Sequence, residues 1–220
     1  MKKILNIALD GPSGSGKSTV AKALSQKLNI LYLDTGAMYR AVGVKAHSLG
    51  IDSFDEEGVK TFIDDIDLEI KYANGAQRTF LDGVDVSEKI REPYVSMLAS
   101  NVSSLKCVRL KMVDMQRKIA KSMSCVLDGR DIGSYVLPDA EYKFYVTADS
   151  KVRTERRYKE LTAKGFEIDF DTLHEEIKQR DYNDSHRDFS PLRQAEDAIL
   201  VDTSNMSIEE VINEILSKII

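Results

Sequence analysis

The 220-residue sequence predicts an α/β protein with a parallel central sheet, and three observations predict it. Five short β-rich runs, at residues 4–10, 31–34, 125–128, 142–146 and 198–202, alternate with helical periodicity, as a parallel sheet covered by helices requires. The first run leads directly into Gly11-Pro12-Ser13-Gly14-Ser15-Gly16-Lys17-Ser18, which fits the phosphate-loop pattern G-x-x-x-x-G-K-[ST]. Between about residues 67 and 86 the texture changes to short strands divided by Asn74-Gly75 and Asp82-Gly83, pairs that favour antiparallel hairpins.

Taken in order, the run at 4–10 follows Met1-Lys2-Lys3 and is ended by Asp10, too soon for the apolar core of a secretion signal. A buried first strand accounts for it. The helical pattern of residues 19–28 supplies the helix that a phosphate loop needs. Several runs end in aspartate or lead into glycine, which places polar groups at the carboxyl edge of the sheet, where open α/β folds bind their ligands. Residues 67–86 form an inserted β lobe. Helical periodicity returns over residues 93–121, 150–164 and 172–187, and a last helix opens at Ser207, where Ser207 and Glu210 fit a capping box. Without internal repeats or a long linker, one domain spanning 1–220 is expected.

Composition excludes several classes. The net charge of -5 arises from interspersed acids and bases, so no partner among nucleic acids or membranes is expected. No stretch approaches the roughly 20 apolar residues of a membrane span. Cys107 and Cys125 form no C-x-x-C pair, and three scattered histidines cannot complete a zinc cluster. Buried thiols in a reducing, cytoplasmic compartment are expected.

The phosphate loop is the strongest chemical signal. Its glycines let the backbone wrap around phosphate oxygens, and the following helix offers unpaired N–H donors and a partial positive charge. Gly11, Pro12, Ser13, Gly14, Ser15, Gly16, Lys17, Ser18 and Thr19 are therefore the expected nucleotide cradle. Lys17 reaches the β and γ phosphates, and Ser18 can ligate Mg²⁺. A dinucleotide fingerprint fails, because Gly14-Ser15-Gly16 is followed three residues later by Thr19. Asp128, closing its short strand, is a second candidate for holding Mg²⁺ or its water shell; a helix cap or an ion pair to a neighbouring arginine is the alternative. Neither N-K-x-D nor LSGGQ occurs, and a small-molecule kinase becomes the leading class.

Three segments, Asp10 to Ser18, Asp34-Thr35-Gly36-Ala37-Met38-Tyr39-Arg40 and Asp128-Gly129-Arg130-Asp131-Ile132-Gly133, together resemble bacterial cytidylate kinases. The resemblance continues through Asp82-Gly83-Val84-Asp85-Val86-Ser87, Arg180-Asp181 through Arg187, and Asp202-Thr203, so it spans the chain in order. It implies a five-stranded parallel core, a monophosphate-binding β insert at about 64–92 and a lid at about 153–170. It also implies transfer of the γ-phosphoryl group of MgATP to CMP or dCMP by a monomer. By matching motif, Thr35, Arg40 and Arg130 would hold the acceptor phosphate, and Ser100, Arg109 and Asp131 would read the cytosine edge. Tyr39 would shape that pocket, and Arg180, Asp184 and Arg187 would contact the ribose and nearby base. The family often has Ser where this chain has Thr35, and the hydroxyl is retained. Lys17 and Arg130, with Arg153 and Arg157 from the lid, would stabilise the transferring group; ordinary pairing with Glu155 or Glu160 is the alternative for the lid arginines.

These residue types suit the chemistry independently of the resemblance. Arginine forks bind phosphate oxygens in pairs, and a carboxylate accepts from the exocyclic amine of cytosine while arginine donates to its ring acceptors. Arg180, Asp184 and Arg187 fall at i, i+4 and i+7, on one helical face. Two rivals stay open. A kinase for a hydroxyl acceptor would use Asp34 as base, and a slow ATPase switch would bind RNA or protein through a basic or aromatic face.

Overall fold

A computed structural model describes residues 4–73 and 76–219, so the expected Asn74-Gly75 turn lies outside the described residues. The chain divides into two compact units, residues 1–32 with 123–220, and residues 33–122. Among the described residues, no helix is long and apolar enough to cross a membrane.

In the first unit, β1 (Asn6–Asp10) is the middle strand of a five-stranded sheet. It lies between β6 (Cys125–Gly129) and β7 (Tyr142–Thr147), parallel to both, with Ile7 opposite Val126 on one side and Tyr142 on the other. Outside β7 runs β8 (Ile199–Asp202), also parallel; outside β6 runs β2 (Leu31–Asp34), where the Leu31 N–H donates to the Ser124 carbonyl at 3.0 Å. A strand paired on both edges and covered on both faces must be apolar throughout, and Ile7, Ala8 and Leu9 are fully buried. The first strand begins two residues later than the sequence run because the Leu5 N–H donates to the Ser124 hydroxyl instead of to a strand partner.

Helices α1 (Lys17–Leu28) and α8 (Ile208–Ile219) bring Val20, Leu24, Val211, Ile212 and Ile215 against Ile7, Leu9, Phe144 and Val146. Each large side chain buried here stabilises the fold by about 1.5–3 kcal/mol. The expected capping box holds α8: the Glu210 carboxylate accepts from the Ser207 N–H at 2.8 Å, and the Ser207 hydroxyl accepts from the Glu210 N–H at 3.3 Å. Helix α6 (Ser150–Ala163), capped by Asp149, packs on α7 (Phe170–His186), capped by Asp169, through a small separate cluster of Leu161, Leu173 and Ile177. After β6 the chain makes a π-helical turn, Ile132–Val136, that the sequence pattern did not suggest.

In the second unit, α2 (Thr35–Ser48) packs closely on α4 (Pro93–Val102); a Cβ added at Gly43 would lie 2.9 Å from the Leu98 Cβ. Helix α3 (Glu56–Ile63) packs on α5 (Lys106–Ser122). The expected antiparallel lobe is a sheet of β3 (Leu68–Ala73), β4 (Ala76–Leu81) and β5 (Val84–Asp85). Asp82 at φ 50° and Gly83 at φ 75° form its second turn, as a two-residue hairpin loop demands. A 3-10 turn, Lys89–Arg91, leads from the sheet to α4. The helical stretch read over 93–121 is two helices rather than one. The break falls where the Ser103 and Ser104 hydroxyls donate to the Ser100 and Asn101 carbonyls, at 2.8 and 2.6 Å, and compete with continued helix.

Candidate active site

The phosphate loop joins β1 to α1, and its shape follows from the residues it can accommodate. Gly11 has φ 142°, and a Cβ there would sit 2.0 Å from the Val146 carbonyl oxygen, so only glycine fits. Gly14 packs against Arg153, whose Cβ would be 3.2 Å from a side chain placed there. Lys17, only 5% exposed, turns back into the loop and donates from Nζ to the Pro12 carbonyl at 2.7 Å and to the Ser15 Oγ at 3.3 Å. Burial and the charge of Arg130 hold its pKa well below the usual lysine value, against the pull of Asp128, Asp10 and Asp184. An ammonium held by its own loop's oxygens exchanges them for phosphate oxygens at small desolvation cost, because it is already out of water.

Ser18, at the first turn of α1, donates from Oγ to the Asp128 Oδ2 at 2.5 Å, and the Tyr32 hydroxyl donates to Oδ1 at 3.3 Å. Thr19 is exposed beside Ser18. A hydroxyl and a carboxylate in contact are hard oxygen donors of the kind Mg²⁺ prefers. Among the described residues no group of three His, Cys, Asp or Glu side chains is placed to hold a metal alone. The pair therefore fits an ion that takes its other ligands from phosphate and water, which is the habit of Mg²⁺.

The end of β6 and the end of α7 carry a second cluster. Arg130 Nε donates to the Asp184 Oδ2 at 2.8 Å and Nη1 to the Gly129 carbonyl at 3.3 Å. Burial works against ionisation of Asp184, but Arg130, Arg180 and Arg187 outweigh it and hold the carboxyl below its ordinary value. Arg180 and Asp184 share α7 as their spacing predicts, whereas Arg187 is the first residue past the helix, with extended backbone. From there its Nε donates to the Ser190 carbonyl at 2.6 Å, and its guanidinium lies 3.8 Å from Asp131. Asp131 also accepts from the Ser190 hydroxyl at 2.5 Å. The turn after α7 thus joins the Arg187 and Asp131 expectations in one network.

Asp10 belongs to this region and was not among the expected site residues. Its carboxylate accepts from the N–H groups of Ile132 and Gly133, both at 2.7 Å, and so fixes the π-helical turn to the end of β1. Burial pushes its pKa up to about 7, opposed by those two N–H donors and by Lys17, and aided by Asp131. The signal in the sequence is an acid closing an apolar strand directly before a phosphate loop; the partner turn is invisible there.

Of the α6 arginines, Arg153 is 5% exposed and committed to the phosphate loop. It donates to the Ser13 carbonyl at 3.0 Å, to the Ala148 carbonyl at 2.9 Å, and to both oxygens of Asp181 at 3.2 and 2.5 Å. Arg156, which clusters with Arg153 and Arg157 in the sequence but was not among the expected site residues, donates to the Thr203 hydroxyl and carbonyl at 3.0 and 2.7 Å, and Thr203 donates to the Ser15 carbonyl at 3.2 Å. Two loop carbonyls are thereby braced from one helix. Arg157 instead pairs with the exposed Glu160 at 2.7 Å, the alternative left open above.

In the second unit, Asp34 caps α2. Its Oδ1 accepts from the Ala37 N–H at 2.9 Å and its Oδ2 from Arg91 Nη2 at 2.8 Å. Burial opposes its ionisation, but Arg40 and Arg91 hold its pKa below the usual carboxylate value, so Asp34 is a weak base with both oxygens engaged. That removes the basis for a hydroxyl-activating role. Thr35 is buried in the first turn of α2, and Arg40 lies beside that turn, its Nη1 3.0 Å from a Cβ added at Gly36. Arg109 is 1% exposed on α5, its guanidinium 5.5 Å from the Tyr39 ring centre, and it donates to the Ser103 carbonyl at 3.3 Å. Ser100 lies in the last turns of α4. The second unit therefore gathers Thr35 and Arg40 at one helix start, and Tyr39 with Arg109.

Comparison with known proteins assigns the fold and the family. The solved structure of an uncharacterized protein from Eubacterium ventriosum superposes on 99% of this chain and 98% of its own, with a TM-score of 0.56 and 17% identity, a likeness of fold alone. Curated relatives named cytidylate kinase are far nearer in sequence. That of Caldicellulosiruptor saccharolyticus is 52% identical over 98% of this chain and 95% of its own, and that of Leuconostoc mesenteroides is 47% identical over 95% and 93%. The cytidylate kinase profile matches residues 7–220, from the middle strand of the sheet through the last helix. A match of that extent, over a formed phosphate loop, makes this chain a member of the cytidylate kinase family.

Proposed function

We infer that this protein transfers the γ-phosphoryl group of ATP to CMP or dCMP, giving ADP and CDP or dCDP. The observation that carries the reading is the buried Lys17 inside a formed phosphate loop, in a chain of this family. Cytoplasmic location, a monomeric state and small-molecule partners alone complete the proposal.

The acceptor phosphate has a pKa near 6 and is largely dianionic at neutral pH, so no general base is required. The chain's task is to bring two repelling anions into line and neutralise them. Lys17 would leave the Pro12 carbonyl for the β and γ phosphates while the loop N–H groups hold the remaining oxygens. Arg130, oriented by Asp184, would neutralise charge on the transferring group, and Arg157 would join it from the lid at about 153–170. Arg153, braced on Ser13 and Asp181, would keep the loop in shape as that charge moves. Ser18 and Asp128 would hold Mg²⁺, which when bound supplies charge neutralisation at the phosphates. Thr35 and Arg40, with Arg130, would take the acceptor phosphate. Ser100, Arg109 and Asp131, with Tyr39, would select cytosine, and Arg180, Asp184 and Arg187 would meet the ribose side. The insert at about 64–92 would serve as the monophosphate-binding lobe.

An acceptor panel tests this. With ATP and Mg²⁺, rapid ADP formation is expected with CMP and dCMP, weak turnover with UMP, and none with AMP or cytidine. Turnover of cytidine without turnover of CMP would overturn the phosphate-clamp assignment.

A further inference from the structure

We propose that Ser190, in the turn after α7, is a positioning residue that fixes the Asp131 carboxylate for the cytosine amine and so helps the chain discriminate cytosine from uracil. The proposal deepens the reading above and rests on it. Asp131 is 4% exposed, and its backbone and side chain are held from different parts of the chain. Its carbonyl accepts from the Tyr135 and Val136 N–H groups at 2.9 and 3.0 Å, within the π-helical turn that it opens. Its carboxylate receives the Ser190 hydroxyl at 2.5 Å on Oδ2 and faces the Arg187 guanidinium at 3.8 Å on Oδ1. A carboxylate that accepts from a fixed hydroxyl cannot turn about its terminal torsion without breaking that bond, so its remaining lone pairs keep one direction. Direction is what base selection requires, because cytosine presents an amine donor where uracil presents an acceptor oxygen.

The Ser190 hydroxyl is held in place against the preference of its own backbone. Ser190 has φ 52°, in the left-handed region that glycine enters freely and serine does not. Pro191 follows it and favours extended backbone at negative φ in the residue before it. Glycine would relieve the strain but carries no hydroxyl. The contacts around the turn keep it in this conformation. The Leu192 N–H donates to the Asp184 carbonyl at 2.7 Å, the Ser190 carbonyl accepts from Arg187 Nε at 2.6 Å, and the Phe189 ring meets the Tyr135 ring edge-on, centres 5.1 Å apart. Residue 190 therefore serves both members of the Arg187 and Asp131 pair, one through its carbonyl and the other through its hydroxyl. All of these groups belong to the first unit.

The test is the ratio of kcat/KM for CMP to that for UMP, at saturating ATP and Mg²⁺, in the wild-type chain, Ser190→Ala and Ser190→Gly. Both variants lose the hydroxyl, but alanine keeps the backbone strain and glycine removes it, so thermal unfolding should place Ser190→Gly above Ser190→Ala. The ratio is expected to fall about tenfold in both, the scale of one hydrogen bond to a charged group, chiefly through a higher KM for CMP. The KM for ATP and the kcat at saturating CMP should stay within about twofold of wild type. A wild-type ratio in both variants, even with both rates reduced, would show a merely structural role and overturn the proposal with the parent reading intact. So would a ratio that falls in Ser190→Ala and is restored in Ser190→Gly, because the effect would then follow the strain and not the hydroxyl. A wild-type chain that turns over CMP no faster than UMP, or not at all, would overturn the parent reading, and this one with it.

Discussion

Asp10 and Arg153 show how much of this protein's chemistry depends on single buried charges. A carboxyl raised to about 7 in the fold and near 3.8 when unfolded binds its proton more tightly in the native state. Its contribution to stability is therefore full below about pH 3.8 and is lost as pH rises through 7, with a slope of about 1.4 kcal/mol per unit. Asp34 and Asp184, whose pKa values are lowered, act in the opposite sense and lose their contributions as pH falls through their folded pKa values. Asp10→Asn should remove the falling component between pH 4 and 7, read as a difference in urea-unfolding free energy across that range; an identical pH profile in both proteins would refute the assignment. The two α6 arginines, Arg153 and Arg157, separate cleanly. Arg153→Met breaks a buried fork to Asp181 and should cost about 3 kcal/mol and raise the KM for ATP, because the Ser13 carbonyl loses its donor. Arg157→Met removes an exposed pair and should change stability by less than about 0.5 kcal/mol while lowering kcat. Thermal unfolding and steady-state kinetics on the two variants decide between these roles.

Among the elements, those whose boundaries are set by local chemistry were readable in advance. The Ser207 and Glu210 box, the Asp82-Gly83 turn and the glycines of the phosphate loop each place a residue where its own geometry demands it. Ser207→Ala should accordingly cost about 1 kcal/mol in denaturant unfolding, with no effect on turnover. Gly11→Ala has no room to relax, since the obstacle is the Val146 backbone and not a side-chain end. It should abolish ATP binding in a fluorescence titration even where the protein remains folded. The break at 103–105 and the π-helical turn at Ile132–Val136 were not readable. One arises from two serine hydroxyls choosing carbonyls over solvent, and the other is held by Asp10, more than a hundred residues away in the chain.

At the scale of the molecule, the two units carry different parts of the expected chemistry. The phosphate loop, Arg130, Asp184 and the α6 arginines belong to one, and Thr35, Arg40 and Arg109 to the other. Hydrogen exchange should therefore report the substrates separately, with a non-hydrolysable ATP analogue slowing exchange at the loop and first turn of α1, and CMP alone slowing it at the first turn of α2. The sequence by itself determined the parallel α/β class, the inserted antiparallel lobe and the phosphate loop, because strand alternation, turn pairs and a glycine-rich motif are local patterns, and the resemblance carried by its motifs pointed to the family. It also supplied Arg40, Arg130 and Arg109 as candidates. Only the tertiary structure decided which charges neutralise one another: that Arg153 braces the loop, that Arg130 is held by Asp184, and that Asp34 serves two arginines instead of acting as a base. Those outcomes depend on burial and on partners distant in sequence, and the energy of a charge is set by what surrounds it, not by its place in the chain.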